Sequence, residues 1–172
     1  LVFCRLYSSM KVENVHKRII NLSKAEFAVL LDALSTKGDK VWPNDNWPKI
    51  YFKNGLKVGS VGGHGIIKYL IEEYIRGELI VFRFIEPKGF NGIHKFEIEE
   101  LNENTIEVKH SIIMNTEGVM ATLSWITAIR WLHDALIENA FDTIENNYLE
   151  EKKHTKWSNW VSFWRFILTR VK

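Results

Sequence analysis

The chain has 172 residues, a formal net charge of +2 and 46% hydrophobic residues. This length supports one domain with a buried core and is short for two. The nearly balanced charge gives no indication of nucleic-acid binding. The single cysteine, Cys4, excludes an internal disulfide framework and a cysteine-based zinc site, and this usage fits a reducing cytoplasm. No apolar run approaches the roughly 20 residues that span a bilayer.

The first residues differ in character from the rest of the chain. They lack the ordered regions of a secretory signal. Met10 is a candidate natural start, so we expect residues 1–9 to be an N-terminal extension and not part of the fold. Residues 12–23, which read VENVHKRIINLS, then predict the first strand.

A short helix is predicted next. Ser23 and Glu26 have the spacing of a capping box, in which each side chain bonds to the backbone of the other residue. Apolar residues follow at helical spacing until Gly38, which predicts the end of the helix. Residues 41–48 contain two Trp-Pro steps, and the residue before a proline avoids the helical conformation. We therefore predict an irregular connection there.

Strands are predicted from residue 50 to about 115. Arg76 and Gly77 separate two apolar runs at the spacing of a tight hairpin, which places Ile71 opposite Phe82. In this register one face of the hairpin is apolar and the other is charged. Glu72 and Arg83 lie on the charged face, where we expect a surface ion pair of at most ~1 kcal/mol.

The next hairpin is predicted to turn at residues 102–104. His94 and His110 fall on its apolar face. If Phe96 lies opposite His110, His94 is a diagonal neighbour within side-chain reach. Both histidines can be core residues that bond to a backbone carbonyl, which is the usual state of buried polar groups. The alternative is that they are polar anchors in an apolar ligand pocket.

From Glu117 to about Lys153 the apolar residues recur at helical spacing and predict one long helix. Arg130, Asp134 and Glu138 are four residues apart along it, which predicts a solvated face of ion pairs. Two helical regions flanking an antiparallel run of strands indicate an α+β fold. A curved sheet wrapped around the long C-terminal helix would bury both apolar faces.

The glycine-rich stretch GSVGGHG at residues 59–65 does not have the context of a phosphate-binding loop, because a strand and not a helix follows it. Glycines in strand-rich regions permit bulges and close backbone approach. His64 lies between two glycines, so its imidazole can either bind a ligand or bond to a carbonyl. None of the six histidines has a spacing typical of metal ligands, and no metal site is expected.

The run HGIIKYLIEEYIRGELIVFRFIEPKGFNGIHKFEIEE, followed by TIEVKHSI and WLHDALIENAFD, resembles the SRPBCC or START-like superfamily. This group includes polyketide cyclase/dehydratase-like proteins and pollen-allergen-type ligand carriers. The resemblance covers about residues 10 to 150 and implies a helix-grip fold around a cavity for an apolar ligand. It implies no cofactor. The positions that it implies for ligand binding are His64, Tyr69, His94, His110, Trp131 and His133.

Fold membership alone does not select a reaction. The first hypothesis is a carrier that binds a small lipid-like or aromatic molecule in residues 10–151. The second is a cyclase or dehydratase in which a pocket histidine acts as general acid or base. No catalytic triad is evident in the sequence.

The C-terminal tail, residues 152–172, departs from the family pattern. Within it, KWSNWVSFWRFILTRVK carries tryptophans and aliphatic residues at helical spacing together with basic residues. We expect this segment to pack on its own domain or on a second subunit, since apolar helical stripes are most often buried. The alternative is peripheral contact with a membrane, with the tryptophans near the lipid headgroups. A third hypothesis is therefore an interaction module that acts through this tail.

Overall fold

The computed structural model of the protein describes residues 9–170. Cys4 and most of the expected N-terminal extension therefore lie outside the described residues, as do the last two residues of the tail. Ser9 and Met10 already belong to the first strand. The part of the chain that is described contains no helix long and apolar enough to cross a membrane.

Seven antiparallel strands form one sheet within residues 9–170, in the order β1-β7-β6-β5-β4-β3-β2. The first strand therefore pairs with the last, and every other neighbour in the sheet is a neighbour in sequence. The strands are β1 (Ser9–Ile20), β2 (Tyr51–Phe52), β3 (Val61–His64), β4 (Ile67–Ile75), β5 (Leu79–Glu86), β6 (Phe90–Asn102) and β7 (Thr105–Glu117).

Helices lie before β2 and after β7. The long helix is interrupted by one π-helical turn. It ends at Glu145, earlier than the predicted Lys153. The helices are α1 (Lys24–Asp32), α2 (Val119–Ser124), the π-helical turn (Trp125–Ile129), α3 (Arg130–Glu145) and α4 (Asn159–Arg170). Both bonds of the predicted capping box are present at the start of α1. The α+β, helix-grip prediction is thus confirmed.

The register of the first hairpin agrees with the prediction far from its turn and differs near it. Ile71 lies opposite Phe82, as predicted. Ile75, however, pairs with Leu79, so the loop has three residues. A β-bulge between Ile71 and Glu73 absorbs the extra residue and restores the predicted pairing further along the strands.

The predicted outer-face pair and the second hairpin are also present. Arg83 makes two hydrogen bonds to the Glu72 carboxylate, of 2.7 and 2.9 Å. Phe96 lies opposite His110, and His94 lies opposite Ile112. Because side chains alternate between the two faces of a strand, this register places both histidines on the face that the long helix covers.

The tail helix α4 packs on α3. Val161 is its buried residue, and the indole nitrogen of Trp157 donates to Asn139 in α3 at 2.7 Å. The indoles of Trp160 and Trp164 both donate to the Thr127 carbonyl, at 2.8 and 2.9 Å. Several apolar residues of α4 remain exposed. They are Trp160, Phe163, Phe166 and Leu168.

Candidate functional site

A row of imidazole rings crosses the helix-covered face of the sheet. His94 Nδ1 on β6 lies 3.3 Å from His110 Nε2 on β7. The ring centre of His133, on α3, is 4.9 Å from that of His110 and 5.9 Å from that of His16, on β1. The antiparallel pairing of β6, β7 and β1 brings these side chains side by side, and the long helix contributes His133 from above.

The row continues on the other side of His94 through aromatic rings. Tyr69 is fully buried, and its ring centre lies 4.6 Å from that of His94. His64 lies 5.9 Å from Tyr69 and 4.8 Å from Trp42. The fold therefore brings together five of the six positions implied by the resemblance: His64, Tyr69, His94, His110 and His133.

Trp131 lies apart from these residues. Its side chain is exposed, its indole nitrogen donates to the Ile126 carbonyl, and Arg130 lies over its ring. Residues two apart on a helix point to different sides. Trp131 and His133 therefore cannot both face the sheet.

Apolar side chains surround the central histidines. The His94 ring stacks on Phe82 at 4.6 Å and lies 5.1 Å from Phe84. Phe84, His94 and Leu132 lie in this part of the structure and are only half-buried. These three residues therefore keep some accessible surface beside the fully buried core.

Several nitrogen atoms of these histidines have no hydrogen-bond partner within residues 9–170. They are His94 Nε2, His110 Nδ1 and both ring nitrogens of His133, all sheltered from solvent. A buried polar atom without a partner costs about 1–3 kcal/mol. Such groups are rare in native structures and call for an explanation. A bound molecule that hydrogen bonds to them is one explanation.

Burial also determines the charge of these histidines. It lowers the pKa of His94 and of His110 well below 6.5, and it lowers the pKa of His133. For His64, burial lowers the pKa to about 3. Burial raises the pKa of the Tyr69 hydroxyl in the same way. The four imidazoles are therefore neutral at pH 7, and each has one nitrogen that can accept a hydrogen bond.

The row ends at His16 on β1, which bonds to two acidic residues of the long helix. His16 Nε2 lies 3.1 Å from Asp134 Oδ1, and His16 Nδ1 lies 2.8 Å from Glu138 Oε1. Burial lowers the pKa of His16, but its bonds to these two carboxylates outweigh burial and raise it. Burial likewise raises the pKa of Asp134, but hydrogen bonds from His16 and Asn14 and the electrostatic attraction of the neighbouring His133 outweigh it, so the net pKa is lowered.

The predicted solvated face of the long helix is therefore wrong for Asp134 and Glu138. Both face β1, where Arg18 also donates to Glu138 at 2.7 Å. Strand β1 contains a signal for this contact. Asn14, His16 and Arg18 lie on the same face of the strand as buried Val12 and Ile20. Inward-pointing polar residues on a strand need partners, and the helix supplies them.

The glycines beside His64 are required by the conformation of the backbone. At Gly63 a side chain would overlap the backbone carbonyl of Ile67 on the neighbouring strand. Gly65 has φ of 54° and turns the chain from β3 into β4. This agrees with the bends and close approach expected from the sequence, and it aims His64 at Trp42 and Tyr69.

A groove of about 230 Å³ opens between β1 and the π-helical turn, with Asn14, Trp125, Ile126 and Arg130 among its lining residues. It lies next to the acidic end of the row, because Asn14 Nδ2 donates to Asp134 at 2.9 Å. Trp125 contacts His133, with 6.5 Å between ring centres. The groove is thus bordered by two residues, Asn14 and Trp125, that contact the row.

Comparison with known proteins gave structural neighbours only. No family model matches the chain, and no curated protein does. Truncated norcoclaurine synthase from Thalictrum flavum superposes with a TM-score of 0.64 at 12% identity, covering 84% of this chain and 98% of that one. A solution structure from Thermobifida fusca gives 0.62 at 12% identity, covering 84% and 99%.

A conserved protein of unknown function from Enterococcus faecalis has a TM-score of 0.57 at 11% identity and covers 94% of this chain and 87% of its own. At these identities the likeness concerns the fold alone. The superpositions agree with the helix-grip fold that the resemblance in the sequence implied. The chain has a helix-grip fold similar to that of norcoclaurine synthase.

Proposed function

We propose that the protein binds a small, largely apolar molecule with a polar oxygen group between the sheet and the long helix. The supporting observation is the set of sheltered imidazole nitrogens without partners at His94, His110 and His133, in a wall of aromatic rings. Apolar contact would contribute about 25 cal/mol per Å² of buried area, and a hydrogen bond to an imidazole would fix the orientation.

The nature of the wall defines the chemistry of the ligand. Phe82, Phe84 and Tyr69 present ring faces and edges that suit a flat aromatic or unsaturated group. Neutral imidazoles can either donate or accept, so a hydroxyl or carbonyl oxygen on the ligand would find a partner. A charged ligand would lose its hydration without an opposite charge beside His94, which disfavours it.

Two probes that differ by one hydroxyl group test this proposal. We expect wild-type protein to bind naphthol about 10-fold more tightly than naphthalene, since one hydrogen bond contributes about 1.4 kcal/mol. In the variant His94→Phe/His110→Phe the rings remain but the nitrogens are gone, so the two affinities should be equal. The exposed substitution His154→Ala is the control. An equal preference for naphthol in the wild type and the double variant would overturn the proposal.

The alternative is an enzyme of the cyclase or dehydratase type acting at the same residues. Its supporting observation is that His94, neutral because burial lowers its pKa, could accept a proton. Native mass spectrometry of the purified protein would identify a co-purified ligand, which is then incubated with fresh protein. Conversion that is lost in His94→Phe/His110→Phe supports the enzyme, and recovery of the unchanged ligand supports the carrier.

The tail supports a second candidate role, contact with a membrane surface. Phe163, Phe166 and Leu168 are exposed on α4, and Arg170 lies over the Phe166 ring at 3.8 Å. Exposed Leu123 belongs to the long helix just before Thr127, which α4 contacts. An apolar helical face with basic residues suits the interface of an anionic bilayer.

Full-length protein should co-sediment with vesicles containing phosphatidylserine. The variant Phe163→Ser/Phe166→Ser should lose most of this binding. Its matched control, Val29→Ser, removes an exposed apolar side chain from α1 instead. Equal sedimentation of the α4 variant and the control would exclude the membrane role and leave protein contact as the use of this surface.

A further inference from the structure

Three potential metal ligands meet at the acidic end of the imidazole row. Asp134 Oδ1 lies 3.1 Å from His16 Nε2 and 3.7 Å from His133 Nδ1. One ligand atom from each of the three residues lies within 4.8 Å of the other two. They come from β1 and α3, which are far apart in sequence, so histidine spacing could not indicate this cluster.

The separations fit a small divalent cation. Zinc binds imidazole nitrogen and carboxylate oxygen at about 2.0–2.2 Å, and tetrahedral geometry then places ligand atoms about 3.3 Å apart. The observed distances from Asp134 Oδ1 bracket that value. Two histidines and one carboxylate are also a donor set that suits zinc and similar transition metals more than calcium or magnesium.

The neighbouring groups are those that usually support such ligands. His16 presents Nε2 to the cluster while Nδ1 bonds to Glu138 at 2.8 Å. Metal-binding histidines nearly always donate their second ring nitrogen to a carboxylate or carbonyl, which fixes the ring and increases its basicity. Asp134 is held in turn by Asn14 Nδ2 at 2.9 Å. The geometry of the ligands is therefore fixed by groups outside the cluster.

Side-chain atoms without hydrogen-bond partners also indicate that this cluster binds an ion. His133 is sheltered from solvent, and neither of its ring nitrogens has a partner within residues 9–170. The side-chain oxygen of Asn14 is sheltered and without a partner as well. A surface groove lined by Asn14 and Trp125 lies beside the cluster. An ordinary ion pair between His16 and Asp134 would leave these atoms unexplained.

We propose that His16, His133 and Asp134 bind one divalent transition-metal cation of the zinc class. Three protein ligands leave at least one coordination position for water or another oxygen donor, the arrangement found in catalytic rather than structural zinc sites. The site shares His133 with the apolar ligand proposed above, but a metal ion needs no apolar ligand in order to bind. Binding of the metal alone therefore tests it separately.

Cobalt(II) is the appropriate probe because its visible absorption reports the coordination geometry. Full-length protein without an affinity tag is treated with a chelator, dialysed and titrated with Co²⁺, and Zn²⁺ is then added as a competitor. We expect one Co²⁺ per chain, an absorption band typical of nitrogen and oxygen ligands, and its loss when Zn²⁺ displaces the ion.

The variants Asp134→Asn and His16→Gln should each weaken binding by more than ~100-fold, because each removes a ligand. Glu138→Gln, which only weakens the support of His16, should reduce affinity about 10- to 100-fold. His154→Gln changes an exposed histidine outside both proposed sites and should have no effect. Circular dichroism establishes that each variant folds, and Asp134→Asn, which keeps the shape of the side chain, suffices if His16→Gln does not fold.

Thermal unfolding gives an independent measurement. Excess Zn²⁺ should raise the Tm of the wild type and of His154→Gln, since a ligand that binds only the native state stabilises it, and should leave the Tm of Asp134→Asn unchanged. Wild-type protein that binds no Co²⁺ at 100 μM would overturn the proposal. Unchanged binding in both Asp134→Asn and His16→Gln would also overturn it.

Discussion

The long helix contacts the sheet through two halves of opposite chemistry. Towards its C-terminal end, Ile137, Phe141 and Ile144 are buried in one core cluster with fully buried Ile106 and Val108. We call this the hydrocarbon half. Towards the start of α3, His133 meets His110 and, beyond it, His94, with unpaired nitrogens and half-buried neighbours. This is the histidine half.

The difference shows how the fold can tolerate a polar site. Unpaired buried groups are destabilising, at about 1–3 kcal/mol each. A buried Phe or Ile contributes a comparable amount by leaving water. The hydrocarbon half therefore carries the stability that allows the histidine half to remain incompletely packed. Truncating a side chain in the hydrocarbon half should therefore lower the free energy of unfolding, whereas replacing the imidazoles by apolar rings should leave it nearly unchanged or raise it.

The largest effect is expected from Phe141→Ala in the hydrocarbon half. Phe141 is fully buried on α3, and truncating such a side chain leaves a cavity that costs about 3–5 kcal/mol. Urea unfolding measures this free energy. The control Ile113→Ala, on an exposed position of β7, should change it by less than about 0.5 kcal/mol. Similar losses for the two variants would mean that this half is not the stable one.

An intermediate effect is expected from pH acting on the histidine half. In the folded protein, burial lowers the pKa of His64 to about 3, whereas in the unfolded chain this pKa is 6.5. The unfolded state thus binds more protons in this window, so stability falls as the pH falls from 6.5 towards 3. His64→Gln should lose about 2 kcal/mol less than the wild type between about pH 6 and pH 4. Parallel curves for the two proteins would contradict this.

The smallest effect on stability is expected from His94→Phe/His110→Phe. Replacing both partners of a buried hydrogen bond by apolar groups of similar shape is nearly neutral or stabilising, here by about 1 kcal/mol at most. Urea unfolding of this double variant is compared with that of His110→Ala, which leaves a cavity and should be destabilised. A loss above 3 kcal/mol in the double variant would show that the imidazoles are structural.

The sequence predicted the sheet well because its strands alternate cleanly. Placing Phe96 opposite His110 was sufficient to make His94 and His110 neighbours, and the structure has that pairing. The predicted turn in the first hairpin was too short, and a bulge compensates for it. A bulge depends on local backbone geometry that an alternating pattern does not encode.

The acidic end of the site could not be predicted by the same reasoning. Arg130, Asp134 and Glu138 have the spacing of a solvated helical face, and only the position of β1 over the helix determines that the two carboxylates meet His16. That contact joins the first strand of the sheet to the last part of the domain. No local pattern indicates which strand a polar helical face will contact, so the tertiary structure was needed.

The π-helical turn at Trp125–Ile129 has a consequence for the C-terminal tail. The carbonyl of Thr127 in this turn accepts hydrogen bonds from two indoles of α4, while Trp125 and Ile126 line the groove. Two indole bonds to one carbonyl fasten the C-terminal helix beside the groove, so the tail and the groove share one short stretch of backbone.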